Sequence, residues 1–301
     1  MSKKESNFVS AVVYLSDDSK NAGGFLRNLL DSLEMYFQHY ELIVVDDCCK
    51  KQEQVLKELL PNESNNMITV IHMSMKQGVE LCLSAGLDVS IGDFVFEFDS
   101  IEFCFTKELL WLVYQKALEG NDVVSVETKC NSISRRNFYK LFNKYSSTDY
   151  DINASAFRLV SRRAINRVLD LQISCAFRQA MYASCGLKNA RIEFDGHANN
   201  KKARGLDLAI DSFLLYTTLP QKVFAQLIKF SVVALLIGIF TSILKNCVQY
   251  TAISIIYDLV LILMGINISF CTVAILYYAQ LILKKSNNKY LLESIEKIQK
   301  R

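Results

Sequence analysis

Short apolar runs alternate with amphipathic stretches through the first 130 residues. Runs such as FVSAVVYLS (8–16) and MITVIHM (67–73) are rich in β-branched residues, which is typical of buried strands, whereas NAGGFLRNLLDSLEMYFQ (21–38) repeats apolar residues at helical spacing. The whole pattern predicts strands over 8–16, 40–47, 67–73, 93–99 and 122–127, and helices over 21–38, 51–61, 78–90 and 107–120. Strands that alternate with helices favour an α/β fold, with a mostly parallel sheet covered by helices on both faces.

The pattern changes after about residue 220, where charges almost disappear. FSVVALLIGIFTSIL (230–244) has no charge and extends back to residue 223, and the segment 259–283 is also uncharged. Both predicted spans, 223–244 and 259–283, are long enough to cross a bilayer. The first span has an alternative interpretation as a core or interfacial helix.

Lysine and arginine residues lie before the first span and after the second, whereas the loop between them carries only Lys245. By the positive-inside rule both termini are expected in the cytoplasm. The expected organisation is a soluble α/β domain (1–202), a segment along the membrane surface (203–221), two membrane helices (222–284) and a cytoplasmic tail (285–301). The segment before the membrane could equally be the last helix of the soluble domain, and the tail reads as a solvated helix.

Composition narrows the possible functions. The formal net charge is +3, too close to zero for a nucleic-acid-binding protein. The nine cysteines include no Cys-x-x-Cys pair and there are three histidines, so a zinc site is not expected, and His72 reads as a packed strand residue. Scattered thiols fit a reducing cytosol. The N-terminal MSKKESNFVS lacks an apolar core after its charges, so no cleavable signal is expected.

Carboxylates follow two of the predicted strands. YELIVVDD ends in Asp46 and Asp47, and GDFVFEFDS places Glu97 and Asp99 at the end of an apolar run. In open α/β sheets ligands bind beyond the carboxyl ends of the strands, so the two motifs are expected to form one site. The alternative is that these side chains only solubilise the strand ends.

These motifs in this order resemble the family 2 glycosyltransferases of GT-A fold, and among them the polyprenyl-phosphate glycosyltransferases. The resemblance rests on four segments: YELIVVDDCCKKQ, KQGVELCLSAGLDVSIGDFVFEFDS, FRLVSRRAINRVLDL and LYYAQLILKKSNNKY. It covers nearly the whole chain, and the ordered set is more specific than any single motif.

The resemblance implies a role for individual residues. Asp99 would hold Mg²⁺ or Mn²⁺, with Glu97 as a second ligand or as a group beside the ligand, and Asp99 and Arg158 would be catalytic. The implied nucleotide-binding residues are Asp46, Asp47, Gln77 and Asp93, and the implied acceptor-phosphate residues are Arg158, Lys201, Lys202 and Arg204. Arg158 could instead be a structural ion-pair partner, and the three basic residues after 200 could be anchors for the membrane helix.

The implied reaction moves a sugar from a UDP- or GDP-sugar to a polyprenyl phosphate at the cytoplasmic face of the cell membrane. Several departures from the family pattern bear on it. Glu97 replaces an aspartate, Ile101 replaces a common glutamine, Ala156 stands where an acid or serine is common, and the segment around Lys201 and Lys202 lacks an expected arginine pair. Two alternatives therefore stay open, namely transfer to another glycan or lipid-linked acceptor, and a catalytically weakened relative that acts as a membrane scaffold. A homo-oligomer is possible, and Asn267 within the second span is expected to mediate a helix–helix contact.

Overall fold

The computed structural model describes residues 4–17, 19, 21–49, 67–101, 103, 105–128, 132–146, 148, 150–170, 177–194, 212–247, 251–287 and 295–300. The chain divides into two compact units, one comprising 1–144, 148–209 and 288–301 and the other comprising 145–147 and 210–287. The first unit contains the sheet and the second contains the two long apolar helices.

The first unit is built around one mixed sheet. Its strands are β1 (Glu5–Leu15), β2 (Phe37–Asp46), β3 (Met67–Met73), β4 (Phe94–Phe98), β5 (Val123–Thr128), β6 (Ser155–Ser161), β7 (Asn189–Phe194) and β8 (Ile295–Lys300). Their order is β7-β5-β6-β4-β1-β2-β3-β8. Strands β4, β1, β2 and β3 run parallel, whereas β6 is antiparallel to both β4 and β5. The carboxyl ends of the four parallel strands therefore share one edge.

Helices pack on this sheet through apolar faces. In the first unit these are α1 (Ala22–Tyr36), α2 (Val79–Val89), α3 (Lys107–Leu118), α4 (Ile133–Tyr145), α5 (Arg162–Asp170) and α6 (Arg178–Ser184), whereas α7 (Leu219–Cys247) and α8 (Thr251–Asn287) belong to the second unit. On α2, Gly86 lies so close to β1 that a Cβ there would be 2.3 Å from Val12 Cγ1. Only glycine permits this approach, which brings the first turn of α2 beside the carboxyl ends of β1 and β2.

An aromatic cluster supports the end of β4. Phe98 packs edge-on against Phe25 of α1 with ring centroids 5.5 Å apart, and stacks on Phe157 of β6 at 5.0 Å. Phe103 and Phe105 complete the cluster. Aromatic pairs in such geometries add stability beyond the apolar area that they bury. The strand end that carries Glu97 and Asp99 is therefore packed against this cluster through Phe98.

The predicted α/β class and the elements up to residue 128 are confirmed where they are described. The segment predicted as a helix over 51–61 and the membrane-surface segment over 203–211 lie outside the described residues, whereas residues 212–216 are helical. Beyond residue 128 the prediction was incomplete, because it missed β6, α6 and β7 as elements.

The prediction for the tail was wrong. Residues 295–300 form β8, which pairs antiparallel with β3, for example Val70 with Gln299 and Ile71 with Ile298. The local pattern of the tail is compatible with a helix. However, the exposed edge of β3 offers unpaired backbone groups, and pairing with them outweighs helix propensity.

The second unit contains two helices that are long and apolar enough to cross a membrane, over Leu219–Ile243 and Tyr257–Gln280. Their apolar side chains are largely exposed, including Leu236, Phe240, Ile262 and Phe270. A core helix of a soluble protein would bury such side chains, so their exposure favours lipid as the surrounding solvent. The orientation of the termini stays a prediction.

The expected role of Asn267 is confirmed. Its Oδ1 accepts a hydrogen bond from the Ser231 hydroxyl, which joins α8 to α7. Near this contact Gly238 of α7 leaves space for Met264 and Val260 of α8. Small residues and a polar bridge are common where membrane helices meet.

We expect the Ser231–Asn267 bridge to contribute about 0.6 kcal/mol to helix pairing. Thermal unfolding in detergent of Ser231→Ala, Asn267→Ala and the double variant would measure this coupling energy. Ser269→Ala is the matched control, because that hydroxyl bonds only its own helix at Gly265 O. Strict additivity of the two single changes would contradict the bridge.

Candidate active site

A buried cluster of charged side chains lies at the carboxyl end of β4. The antiparallel register places Arg158 of β6 directly beside Glu97 of β4. Residues in lateral register on neighbouring strands point to the same face of the sheet. The first turn of α6 adds Arg178 to this face, and Tyr182 follows one turn later. Strand pairing and one short helix therefore assemble the cluster.

Two guanidinium groups hold the carboxylates. Arg158 donates from Nη1 to Glu97 Oε2 at 2.8 Å and from Nη2 to Asp99 Oδ2 at 2.7 Å. Arg178 donates from Nη2 to Asp99 Oδ1 at 2.8 Å and from Nε to Glu97 Oε2 at 3.3 Å. The hydroxyl of Tyr182 donates to Glu97 Oε1. Each oxygen of both carboxylates thus accepts at least one hydrogen bond.

Burial makes this network strongly coupled. The side chains of Glu97 and Arg158 are 0% and 1% exposed, and that of Asp99 is 7% exposed. Burial alone would lower the pKa of Arg158, but the charges of Asp99 and Glu97 raise it above its ordinary value. Burial, followed by the charge of Glu97, raises the pKa of Tyr182 well above that of a free tyrosine. Arg158 therefore stays charged and Tyr182 stays neutral.

Arg178 also connects the cluster to α2. Its Nη1 donates to Val79 O at 3.2 Å and to Glu80 O at 2.9 Å, and forms an ion pair with the Glu80 carboxylate at 3.0 Å. Its backbone N–H donates to the same carboxylate at 3.2 Å. One side chain thus joins the start of α2 to the carboxylates of β4.

The other side of the α2 turn is held by Asp47. Its carboxylate accepts hydrogen bonds from the Tyr14 hydroxyl at 2.8 Å and from the backbone N–H groups of Gln77 and Gly78 at 2.7 and 3.2 Å. Gly78 has a φ of 81°, which few other residues adopt without strain. Burial and then the charge of Asp47 raise the pKa of Tyr14, so its hydroxyl remains a donor.

Asp46 is bound by the loop that follows it. Its Oδ1 accepts from the Cys49 N–H at 2.8 Å and its Oδ2 contacts His72 Nδ1 at 2.9 Å. His72 is thus not a packed strand residue alone but a polar partner of Asp46. In this structure both aspartates fix the strand-end loops.

We expect Tyr14→Phe to lower the free energy of unfolding by about 1–2 kcal/mol, because the Asp47 carboxylate loses a partly buried charge-assisted hydrogen bond. Chemical denaturation of the detergent-solubilised protein would measure the loss. Tyr36→Phe is the control, since Tyr36 stacks on Trp111 through its ring and that contact survives. Equal stability of the two variants would contradict the role given to Tyr14.

The structure brings together only part of the predicted site. Asp46, Asp47, Gln77, Glu97 and Asp99 lie at the carboxyl edge of the parallel strands. Lys201, Lys202 and Arg204 lie outside the described residues.

The position of Asp93 corrects the prediction that it is a nucleotide-binding residue. It precedes β4 at the opposite end of the strand, where its carboxylate accepts from the Phe8 N–H at 3.2 Å. A strand separates it from Asp99, so it does not share the site with the other predicted nucleotide-binding residues. The error arose because Asp93 belongs to the same motif in sequence, whereas the strand sets its two ends apart.

The contacts of Arg158 agree with the alternative prediction that this residue is a structural ion-pair partner. Its guanidinium is buried between Glu97 and Asp99, so the arrangement offers no surface on which it would bind an acceptor phosphate. The predicted catalytic role of Arg158 remains, because its guanidinium contacts the carboxylate of Asp99, which is itself expected to be catalytic.

A divalent cation fits Asp99 better than Glu97. Mg²⁺ is commonly held by one or two carboxylates together with phosphate oxygens and water. Asp99 retains some exposure, and each carboxylate oxygen has two lone pairs, so an arginine bond does not by itself bar a cation. Glu97 is fully buried, with its oxygens bound by Arg158, Arg178 and Tyr182, so it does not fit as a ligand. Among the described residues no group of three acidic, histidine or cysteine side chains forms a metal cluster.

Sequence reasoning missed Arg178, Tyr182 and Glu80. The available signal was a charge inside the otherwise apolar stretch CAFRQAMYA, since an arginine on the buried face of a helix requires an acidic partner. The partners themselves, 79 to 98 positions earlier in the chain, follow only from the fold.

Comparison with known proteins identifies the family. Residues 19–178 match the family described as Glycosyl transferase family 2, which is more than half of the chain. The chain belongs to glycosyltransferase family 2. The matched segment contains both aspartate motifs, Arg158 and Arg178. The chain is therefore a glycosyltransferase by family, and its α/β domain followed by two apolar helices agrees with the expected fold.

Individual relatives are distant. An uncharacterized glycosyltransferase of Synechocystis is 26% identical over 233 residues, covering 73% of this chain and 72% of that protein. A prophage bactoprenol glucosyl transferase homolog of Escherichia coli is 22% identical over 232 residues, covering 73% and 75%. A solved mannosyltransferase of Pyrobaculum calidifontis, in complex with GDP-mannose and Mn²⁺, shows 16% identity and a TM-score of 0.47, covering 73% of this chain and 64% of that one. The match thus spans less than two thirds of the mannosyltransferase.

Proposed function

We propose that this glycosyltransferase moves a sugar from a nucleotide-sugar donor to a polyprenyl phosphate at the cytoplasmic face of the cell membrane. The observation that carries the proposal is the joining of a family 2 domain to two exposed apolar helices in one chain. An enzyme whose acceptor is a long lipid gains by being held at the bilayer surface. The bactoprenol glucosyl transferase name of a relative supports the same acceptor class.

The proposed reaction does not require a general base from the protein. A phosphate oxygen of the acceptor attacks the anomeric carbon, the bond from that carbon to the diphosphate oxygen breaks, and the nucleoside diphosphate leaves. The acceptor phosphate is already an anion, so no proton must be removed from it. A divalent cation, when bound, would neutralise the charge that develops on the leaving diphosphate.

Residues of this chain would position the cation, the nucleotide and the acceptor phosphate, and would supply the charges that bind them. Asp99 is the residue that would hold the cation, and Arg158 and Arg178 fix the direction of its carboxylate. Asp47 holds the turn of Gln77 and Gly78 beside the same strand ends, where a nucleotide would bind. Lys201, Lys202 and Arg204 remain the expected contacts of the acceptor phosphate, because phosphate binding favours charge-assisted donors.

A donor and metal panel tests the proposal directly. Purified protein in detergent would receive a short-chain polyprenyl phosphate and radiolabelled UDP- or GDP-sugars, with Mg²⁺, with Mn²⁺ or with chelator. We expect label to enter the lipid phase from one donor and to stop with chelator. Binding of a donor without transfer would indicate a different acceptor. Absence of both transfer and donor binding would overturn the proposal and favour a scaffold.

A further inference from the structure

Asp99 has unusual neighbours for a carboxylate expected to bind a cation. Two guanidinium groups flank it, with Arg158 Nη2 at 2.7 Å from one oxygen and Arg178 Nη2 at 2.8 Å from the other. A divalent ion placed on the same carboxylate would lie against two fixed positive charges in a poorly solvated site. Coulomb repulsion is strong there because little water screens it.

Arg158 and Arg178 differ in the contacts that hold each guanidinium besides its contact with Asp99, so they are not equally suited to substitution. Arg158 has both terminal nitrogens bound to acids, one to Glu97 and one to Asp99. Arg178 has separate support from Glu80 and from the backbone carbonyl groups of α2. Its contact with Asp99 is therefore one of several that hold the side chain, and loss of that one contact leaves the others in place.

We propose that Arg158 and Arg178 are resident counter-ions of Asp99 that compete with a divalent cation for it, so that the cation binds strongly only together with an anionic diphosphate. Repulsion between the cation and the guanidinium groups weakens binding of the metal alone. A diphosphate supplies negative charge that offsets this repulsion. The two ligands therefore bind with positive coupling, which by linkage is the same in either order. The identity of the diphosphate rests on the proposed function, whereas the competition at Asp99 does not.

Binding of Mn²⁺ alone tests the competition. Mn²⁺ titrations followed by electron paramagnetic resonance would be made on the full-length protein in detergent, comparing the wild type with Arg178→Gln. We expect the variant to bind Mn²⁺ about tenfold more tightly, because one of the two repelling charges is gone. Arg178→Lys keeps the charge and should stay close to the wild type. Unchanged or weaker Mn²⁺ binding by Arg178→Gln, or no Mn²⁺ binding by either protein, would overturn the inference.

A charge-balanced double variant provides a second test in case Arg178→Gln does not fold. Arg178→Gln removes the ion pair between Arg178 and Glu80, and removal of one member of a buried pair is strongly destabilising. The double variant Arg178→Gln/Glu80→Gln removes one positive and one negative charge, so the net charge of the cluster is preserved. It should still bind Mn²⁺ more tightly than the wild type, although by less than Arg178→Gln, because Arg178 contacts Asp99 directly whereas the Glu80 carboxylate pairs with Arg178. A double variant that folds, as judged by its melting curve, but binds Mn²⁺ like the wild type would also overturn the inference.

Addition of UDP or GDP tests the coupling. In the wild type the nucleotide should increase Mn²⁺ affinity by about tenfold or more, within the usual range of such couplings, and in Arg178→Gln the increase should be smaller. Nucleotide and Mn²⁺ without protein give the background. Equal coupling in both proteins would contradict the proposal. Absence of nucleotide binding would count against the proposed function, while the Mn²⁺ result alone would still decide the competition.

Discussion

Asp99→Asn should reduce transfer of label into polyprenyl phosphate by at least about 100-fold, the size of effect seen when one preorganised electrostatic contact is removed from an active site. The asparagine side chain has nearly the same shape but carries no charge. It therefore offers a cation a much weaker ligand, and its amide would place a donor against the donors of Arg158 or Arg178. Initial rates at saturating Mg²⁺ or Mn²⁺ would measure the loss.

Asp88→Asn is the matched control for this change. Asp88 lies on the exposed face of α2, in the same unit and outside the strand-end cluster, so the same loss of charge should leave the rate unchanged. Far-ultraviolet circular dichroism and detergent extraction would show whether the fold and the membrane helices of Asp99→Asn persist. A correctly folded Asp99→Asn protein with the wild-type rate would remove Asp99 from the mechanism.

Local sequence patterns were sufficient to predict the strands and helices of segments in which one type of hydrophobic periodicity dominated. The strands at 8–16, 40–47 and 67–73 have continuous apolar runs, and strands buried on both faces in a parallel sheet require such runs. The carboxylates at their ends could be placed at one edge because parallel strands end together. The uncharged segments after residue 220 were long enough to allow few other interpretations.

Prediction failed where the outcome depended on distant partners. The tail became β8 because the edge of β3 was available, which nothing within residues 285–301 discloses. Glu97 was predicted as a second metal ligand, or as a group beside the ligand, because it lies two positions before Asp99 in the sequence. The antiparallel register of β6 instead placed Arg158 beside it, and α6 added Arg178 and Tyr182. Ionic contacts between distant segments leave no periodic pattern in the chain, so only the fold reveals them.

Arg158→Met should be the most destabilising single change in the cluster. The side chain of Arg158 is 1% exposed and its partner Glu97 is fully buried, so the substitution keeps most of the volume but leaves buried negative charge with less compensation. Removal of one member of a buried ion pair typically costs about 3–5 kcal/mol. For a unit of this size the melting temperature should fall by roughly 10 °C. Thermal denaturation in detergent would measure it.

A second substitution distinguishes loss of charge balance from loss of packing. In Arg158→Met/Glu97→Gln the buried negative charge is also removed. The single amide oxygen of the glutamine can accept a hydrogen bond from Arg178, while its amide nitrogen donates to the Tyr182 hydroxyl, which can also act as an acceptor. Because the penalty arises mainly from uncompensated charge, the double variant should recover a substantial part of the lost stability. Lys116→Met, which removes a lysine from an exposed pair with Glu119, should change the melting temperature little. A double variant no more stable than Arg158→Met would show that Arg158 stabilises the domain through packing and not by compensating the charge of Glu97.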